Sequence, residues 1–212
     1  MLYFKDCTLE ILDETFSLKE ITALQALTNW LNHEASCSDF EKEMLNRLKK
    51  RVHFGYRDWN EAELLQHVIA PLFTLVDFSN EKHMLFSERK FEGVVDGTAM
   101  SGKPDGIIAS GRRSPKKPYF CFQEYKRFKN PDGDPAGQCL AAMLVAQEIN
   151  EYKHPIYGCH VIGNAWYFMV LEGKIYSIST GHFATRDDIF DIFLILKSLK
   201  AIIIELTTES QS

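Results

Sequence analysis

The chain has 212 residues, of which 45% are hydrophobic and 25% charged, proportions that exclude a disordered or fibrous protein. A chain of that length suits one domain and buries roughly 70% of its unfolded surface, so a core needs no disulfide or metal. Twenty-four basic against 29 acidic residues give a net charge of −5, which excludes coating of nucleic acid through bulk charge but leaves room for a local basic groove.

The five cysteines (Cys7, Cys37, Cys121, Cys139, Cys159) are odd in number and contain no C-x-x-C, so they predict neither a disulfide framework nor a zinc knuckle. The segment MLYFKDCTLE lacks the apolar centre of a signal peptide. The greasiest run, Ile189 to Leu206, is broken by Asp191, Lys197, Lys200 and Glu205, against a membrane span. These features predict a cytoplasmic protein without a membrane partner.

In chain order, Ser17-x-x-Glu20 reads as a capping box opening a helix that carries Ile21, Leu24, Leu27 and Leu31. Ser38-x-x-Glu41 repeats the signal before Met44, Leu45 and Leu48, and Lys49, Lys50 and Arg51 suit that helix's C-terminus. A third helix starts near Asp58 or Asn60 and carries Leu64, Leu65, Val68, Ile69, Leu72 and Phe73. Residues 1–57 therefore read as a helical N-terminal extension to a core of residues 58–212.

The period then changes. Runs around 84–99, 103–110 and 119–126, punctuated by Gly and Pro, predict β-structure, with GRRSPKK as a turn-forming loop. Asp134-Pro135 predicts an N-cap and first helical residue for an apolar helix reaching about Asn150. Strands follow at roughly 156–162, 165–171 and 174–178, the last two joined by the Glu172-Gly173 turn. Thr185-x-x-Asp188 opens a final helix whose Ile192, Leu196, Leu199 and Ile203 suit either a packed core helix or a homodimer face. The order predicts a mixed α/β domain with a helical cap.

The strand at 119–126 carries the chemistry. Alternation puts Phe120, Phe122, Glu124 and Lys126 on one face and Tyr119, Cys121, Gln123 and Tyr125 on the other. Both faces are apolar at the start and polar only at the C-terminal end, where a carboxylate and an ammonium point into one cleft. If the preceding segment forms an antiparallel hairpin that pairs Ser110 with Tyr119, Asp105 falls opposite Glu124. Like charges about 5 Å apart at Cβ are destabilising unless compensated, and a divalent cation is the obvious compensator. On a 100° wheel Glu61 falls within the apolar arc of its helix and Glu63 on the solvent side, so Glu61 reads as a third, core-facing carboxylate.

These residues resemble a family. Pro104-Asp105, followed after 19 residues by Glu124-x-Lys126, is similar to the PD-(D/E)XK motif of restriction-endonuclease-like nucleases. Asn60-Glu61, opening a helix that reaches Ile69-x-Pro71-Leu72, resembles the first motif of type I restriction subunits. Gln138, 12 residues after Lys126, stands where many members carry a glutamine, although Ala142 replaces the Tyr that one subgroup carries four residues later. The likeness covers about residues 58–150, and the wider pattern, including Gly163-x-x-Trp166, is similar to uncharacterised bacterial members.

The resemblance implies a mixed β-sheet flanked by helices and a Mg²⁺- or Mn²⁺-dependent nuclease, most directly a DNA endonuclease. It implies that Asp105, Glu124 and the Tyr125 carbonyl bind the metal and that Glu61 holds it through water. Lys126 would orient the attacking water, and Gln138 would support the site. Arg127 and Lys129 are candidates for backbone contact, as are Arg112 and Arg113 in the basic loop, which equally suits a solvated hairpin tip. The bland alternatives are a capping role for Glu61 in a box started by Asp58, a strand-end pair for Glu124 and Lys126, and a turn role for Asp105. A non-catalytic binding or accessory protein on the same fold is the other functional reading.

Overall fold

The computed structural model describes residues 1–32 and 34–209. Its main sheet consists of β2 (Lys19–Glu20), β10 (Ile175–Ile178), β9 (Ala165–Glu172), β8 (Ile156–Ile162), β7 (Lys116–Lys126), β6 (Gly106–Ser110) and β3 (His83–Ser87), in that spatial order, with β11 (His182–Phe183) beside β9. A second sheet has β1 (Leu2–Tyr3), β5 (Thr98–Gly102) and β4 (Phe91–Val95). The pairs β7–β8, β2–β10 and β1–β5 are parallel and the others antiparallel. This is a mixed α/β architecture with a mixed multi-stranded sheet flanked by helices.

Both faces of the main sheet are covered, which is why β7 to β9 read as near-continuous apolar runs. On one face lie α2 (Gln25–Leu31), α3 (Asp39–Gly55), α5 (Ala70–Val76) and α7 (Asp188–Glu209), which pack Trp30, Leu45, Leu72 and Leu196 against Tyr157 and Phe168. Trp30 is fully buried, edge-on to both of those rings, and its indole N–H donates to the Ile195 carbonyl at 2.9 Å. The other face holds α1 (Leu9–Phe16), α6 (Pro135–Ile149) and the three-stranded sheet. Every residue of α6 from Pro135 to Gln147 is buried, as a helix apolar all round must be.

The strands and α6 lie close to the expected ranges, and Ser38 and Asp134 cap α3 and α6 as their sequences indicate. Ser17 does not open a helix. It closes α1 in the left-handed conformation (φ 53°), because Leu12 and Phe16 already bury a helical face before it and Lys19–Glu20 pair with β10. Residues 1–57 thus supply strands as well as helices, and their side chains enter both cores. The last helix starts at Asp188, and the Thr185 hydroxyl instead accepts a hydrogen bond from Asn164. Ile192, Leu196, Leu199 and Ile203 are all buried within the chain, so this stripe is a core face. Among the described residues no helix is long and apolar enough to cross a membrane.

The β6–β7 hairpin differs from simple alternation. Ser110 pairs with Lys116 and Ala109 with Tyr119, but Ile108 pairs with Cys121, so Phe120 is bulged out of the ladder. Phe120 and Cys121 consequently enter the same core, while Phe122 enters the opposite one. Beyond the bulge the pairs are Ile108–Cys121, Ile107–Phe122 and Gly106–Gln123. One further step of that register sets Asp105 across from Glu124.

The N-terminal segment is clamped to the start of α6. Leu9 N–H donates to Asp134 Oδ2 at 2.9 Å, and a Cβ on Gly137 would lie 2.6 Å from Thr8 Cα and 2.7 Å from the Cys7 carbonyl oxygen. Those atoms are backbone and yield little. Gly137→Ala is expected to destabilise the protein by about 2–3 kcal/mol, lowering the melting temperature by roughly 4–10 °C in calorimetry. An unchanged melting temperature would show that this segment is not tightly docked.

Candidate active site

Three segments meet where β7 ends. Asp105 sits in the turn before β6. Its carbonyl accepts from Glu88 N–H at 3.2 Å, and its carboxylate Oδ2 accepts from Tyr125 N–H at 2.6 Å. Glu124 and Lys126 are two residues apart on β7 and so share a face. Lys126 Nζ lies 2.9 Å from Glu124 Oε1, with only 14% and 9% of the two side chains exposed. Gln138, in the first turn of α6, is also buried. Asp105, Glu124, Lys126 and Gln138 line one open cleft of about 490 Å³, together with Tyr3, Lys5, Lys90 and Lys103.

Burial sets the electrostatics. It drives the Asp105 carboxyl up to about 6, with the charges of Glu61 and Glu88 adding to it and the Tyr125 N–H and Lys126 opposing. Burial and then the charge of Asp105 drive Glu124 up to about 7, against the hydrogen bond and charge of Lys126. For Lys126 burial works toward neutrality, but the Glu124 hydrogen bond and the charges of Glu124, Glu61 and Asp105 outweigh it and hold its pKa above the usual ammonium value. The site therefore pairs two reluctant anions with one secure cation.

Glu61 is placed differently from the wheel's expectation. It is exposed rather than core-facing. The helix contains a π turn at Leu65–Ile69 between α4 (Glu61–Leu64) and α5, so residues before the turn are rotated away from the face presented after it. Leu65, counted in the same apolar arc, is 36% exposed for the same reason. The capping box runs from Asn60 to Glu63, not from Asp58 to Glu61, and Asp58 pairs with Lys129 at 2.6 Å. Glu61 still borders a smaller hollow with Glu88, Asp105 and Tyr125, and its charge reaches Asp105, Glu124 and Lys126.

The side chain of Tyr125 points away from this chemistry, with its buried hydroxyl donating to Gln123 Oε1. Arg127 is held by its own loop, through the Asn130 carbonyl at 3.3 Å and Asp132 at 3.7 Å. Arg112 and Arg113 are exposed in the loop at the opposite end of β6, roughly 15 Å along the strand from Asp105, and do not line the cleft. Among the described residues no three His, Cys, Asp or Glu side chains form a metal-holding group.

Sequence reading missed two features. His160 is the strand partner of Glu124 on β8, stacked on Tyr167, with Nδ1 buried and unpartnered. Burial lowers its pKa to about 4, so it is neutral beneath the site. Tyr3, Lys5 and Lys103 come to the cleft only through pairing of β1 with β5, a contact that no local pattern announces. Comparison with protein-family models and with curated proteins returns no match.

A carboxyl with a raised folded-state pKa destabilises the fold as pH rises from its unfolded value, near 4, through the folded one. Asp105→Asn keeps an acceptor for the Tyr125 N–H and removes the charge. In the absence of divalent cations this variant is expected to be more stable than wild type by on the order of 1–2 kcal/mol at pH 8, the gain shrinking toward zero near pH 4. Chemical denaturation across that range measures it, and a pH-independent difference would refute the assignment.

Proposed function

We propose that this cleft hydrolyses phosphodiester bonds in nucleic acid, most directly as a DNA endonuclease with a restriction-endonuclease-like core and a Mg²⁺ or Mn²⁺ requirement. The observation that carries the reading is the placement of Asp105, in the turn that leads into β6, against the end of β7 that carries Glu124, both carboxyls pushed toward neutrality beside the half-buried Lys126 ammonium in an open cleft. Hard oxygen donors destabilised by each other's charge suit a hard dication, which relieves that repulsion. Asp105 and Glu124 would hold it, with the Tyr125 carbonyl as a further oxygen and Glu61 acting through water from the smaller hollow that it shares with Asp105.

A bound Mg²⁺ supplies Lewis acidity toward a phosphoryl oxygen and lowers the pKa of its water. The protein's own groups do the rest. Lys126, charged at neutral pH, donates to an incoming water and offsets negative charge developing on the phosphoryl oxygens. The Lys126–Glu124 contact fixes the ammonium's direction. Gln138 lines the same cleft, where its amide would support the site. Neutral His160 adds no competing charge beneath Glu124.

A non-catalytic nucleic-acid-binding or accessory protein on the same fold is the competing reading, favoured by the absence of a three-ligand metal group among the described residues. Metal-dependent cleavage of supercoiled, linear and single-stranded DNA decides between them. Wild type is expected to cleave with Mg²⁺ or Mn²⁺. Lys126→Ala should lose roughly 10²–10³-fold in rate, the scale of one preorganised electrostatic group, while still binding Mn²⁺ in calorimetry. Asp105→Asn should lose the Mn²⁺ heat as well. Silent calorimetry with wild type, joined to absence of cleavage, would sink the nuclease reading.

A further inference from the structure

Resting on that reading, we infer that the N-terminal segment Tyr3–Lys5 forms, with Lys103, a binding wall for one unpaired strand of nucleic acid, which stacks a base on Tyr3 and sets its phosphates on the two lysines. Tyr3 is 51% exposed, lines the same cleft as Asp105, Glu124 and Lys126, and has no ring partner among the described residues. Lys5 and Lys103 line that cleft from different elements, are exposed, and have no ion-pair partner among the described residues. Lys90, also at the cleft, is tied to Glu92 at 2.7 Å and is less available.

The wall is built rather than loose. Chain termini fray unless tied down. Here Leu2 and Tyr3 pair with Met100 and Ser101 of β5, so Tyr3 and Ser101 share a position at the cleft. Phe4 is buried against Gly102, where a Cβ would lie 2.3 Å from its ring and drive it off. The Cys7 thiol donates to the Tyr3 carbonyl at 3.3 Å. An exposed aromatic held this firmly at a cleft loses little freedom when a planar ligand stacks on it.

The ligand class follows from the chemistry of the three side chains. Two ammonium groups without an ion-pair partner among the described residues suit a polyanion, and an exposed aromatic face in the same cleft suits a base. Bases in a duplex have both faces occupied by their neighbours, so stacking on Tyr3 selects an unpaired or frayed strand.

The test is fluorescence anisotropy with a labelled oligo(dT) 12-mer and a blunt 12-base-pair duplex, with Ca²⁺ in place of Mg²⁺. Wild type is expected to bind the single strand more tightly. Tyr3→Ala should weaken that binding roughly 5- to 100-fold with little effect on the duplex, and Tyr3→Phe should restore it. Lys5→Ala with Lys103→Ala should reduce the slope of log affinity against log salt by about 1.4. Equal binding by wild type and Tyr3→Ala at matched thermal stability, tighter binding of the duplex, or no binding of the oligomer overturns the inference. Cleavage by wild type with Tyr3-independent binding overturns this inference alone. Tyr3-dependent binding without any metal-dependent cleavage overturns the nuclease reading alone.

Discussion

The site depends on one constraint, the register between β6 and β7 that forces Asp105 and Glu124 into one another's fields. The two like carboxylates repel each other, and burial makes each harder to ionise. Neither can escape by a slip of the ladder. A one-residue shift would turn Phe122 and Cys121 to the wrong cores and strand two apolar faces. The apolar half of β7 therefore holds the polar half in an arrangement that is unfavourable taken alone. Gly106 contributes at the boundary, because a Cβ there would lie 2.0 Å from Gln123 Oε1 and displace the amide that accepts from the Tyr125 hydroxyl. Lys126 and the Tyr125 N–H recover part of the cost locally, and the rest falls on the packing of both sheet faces.

The same strand needs neighbours on both sides. The antiparallel partner β6 delivers Asp105 at its start, while the parallel partner β8 sets His160 beside Glu124. A parallel neighbour requires a crossover, and α6 is that crossover. Its start carries Gln138 into the cleft and its N-cap Asp134 grips Leu9, so one helix fixes the site's wall and the chain's first residues together. Its full burial between two sheets explains why it reads as apolar on every face.

How much of this was legible in the sequence depended on whether the signal was local. The strand end Glu124-x-Lys126, the capped α6 and the turn at Asp105 are all written in short patterns, and the structure places Asp105, Glu124, Lys126 and Gln138 around one cleft. Ser110 pairs with Lys116 rather than Tyr119, yet the register at the site matches, because two register shifts, one passing over Lys117 and Pro118 and one over Phe120, absorb the three residues by which the hairpin end differs. Glu61 was misread because a fixed 100° wheel cannot anticipate a π turn. Ser17 carried a capping-box pattern that a helix ending just before it overrides. Tyr3 and Lys5 were invisible, since their place depends on pairing with residues about a hundred positions away.

That long-range pairing also resolves a tension in the charge. A net charge of −5 disfavours attraction of a polyanion to the surface at large. The cleft, however, gathers Lys5, Lys90, Lys103 and Lys126 against two carboxylates that burial holds partly neutral. Many acidic side chains on the outer surface are already spent in pairs, as Asp58 is with Lys129 and Glu151 with Lys117 and Lys153. Fields from exposed pairs decay within about 10 Å at ordinary salt, whereas a low-dielectric cleft preserves its own. An acidic protein can thus present a cationic mouth at the place where Asp105, Glu124 and Lys126 stand.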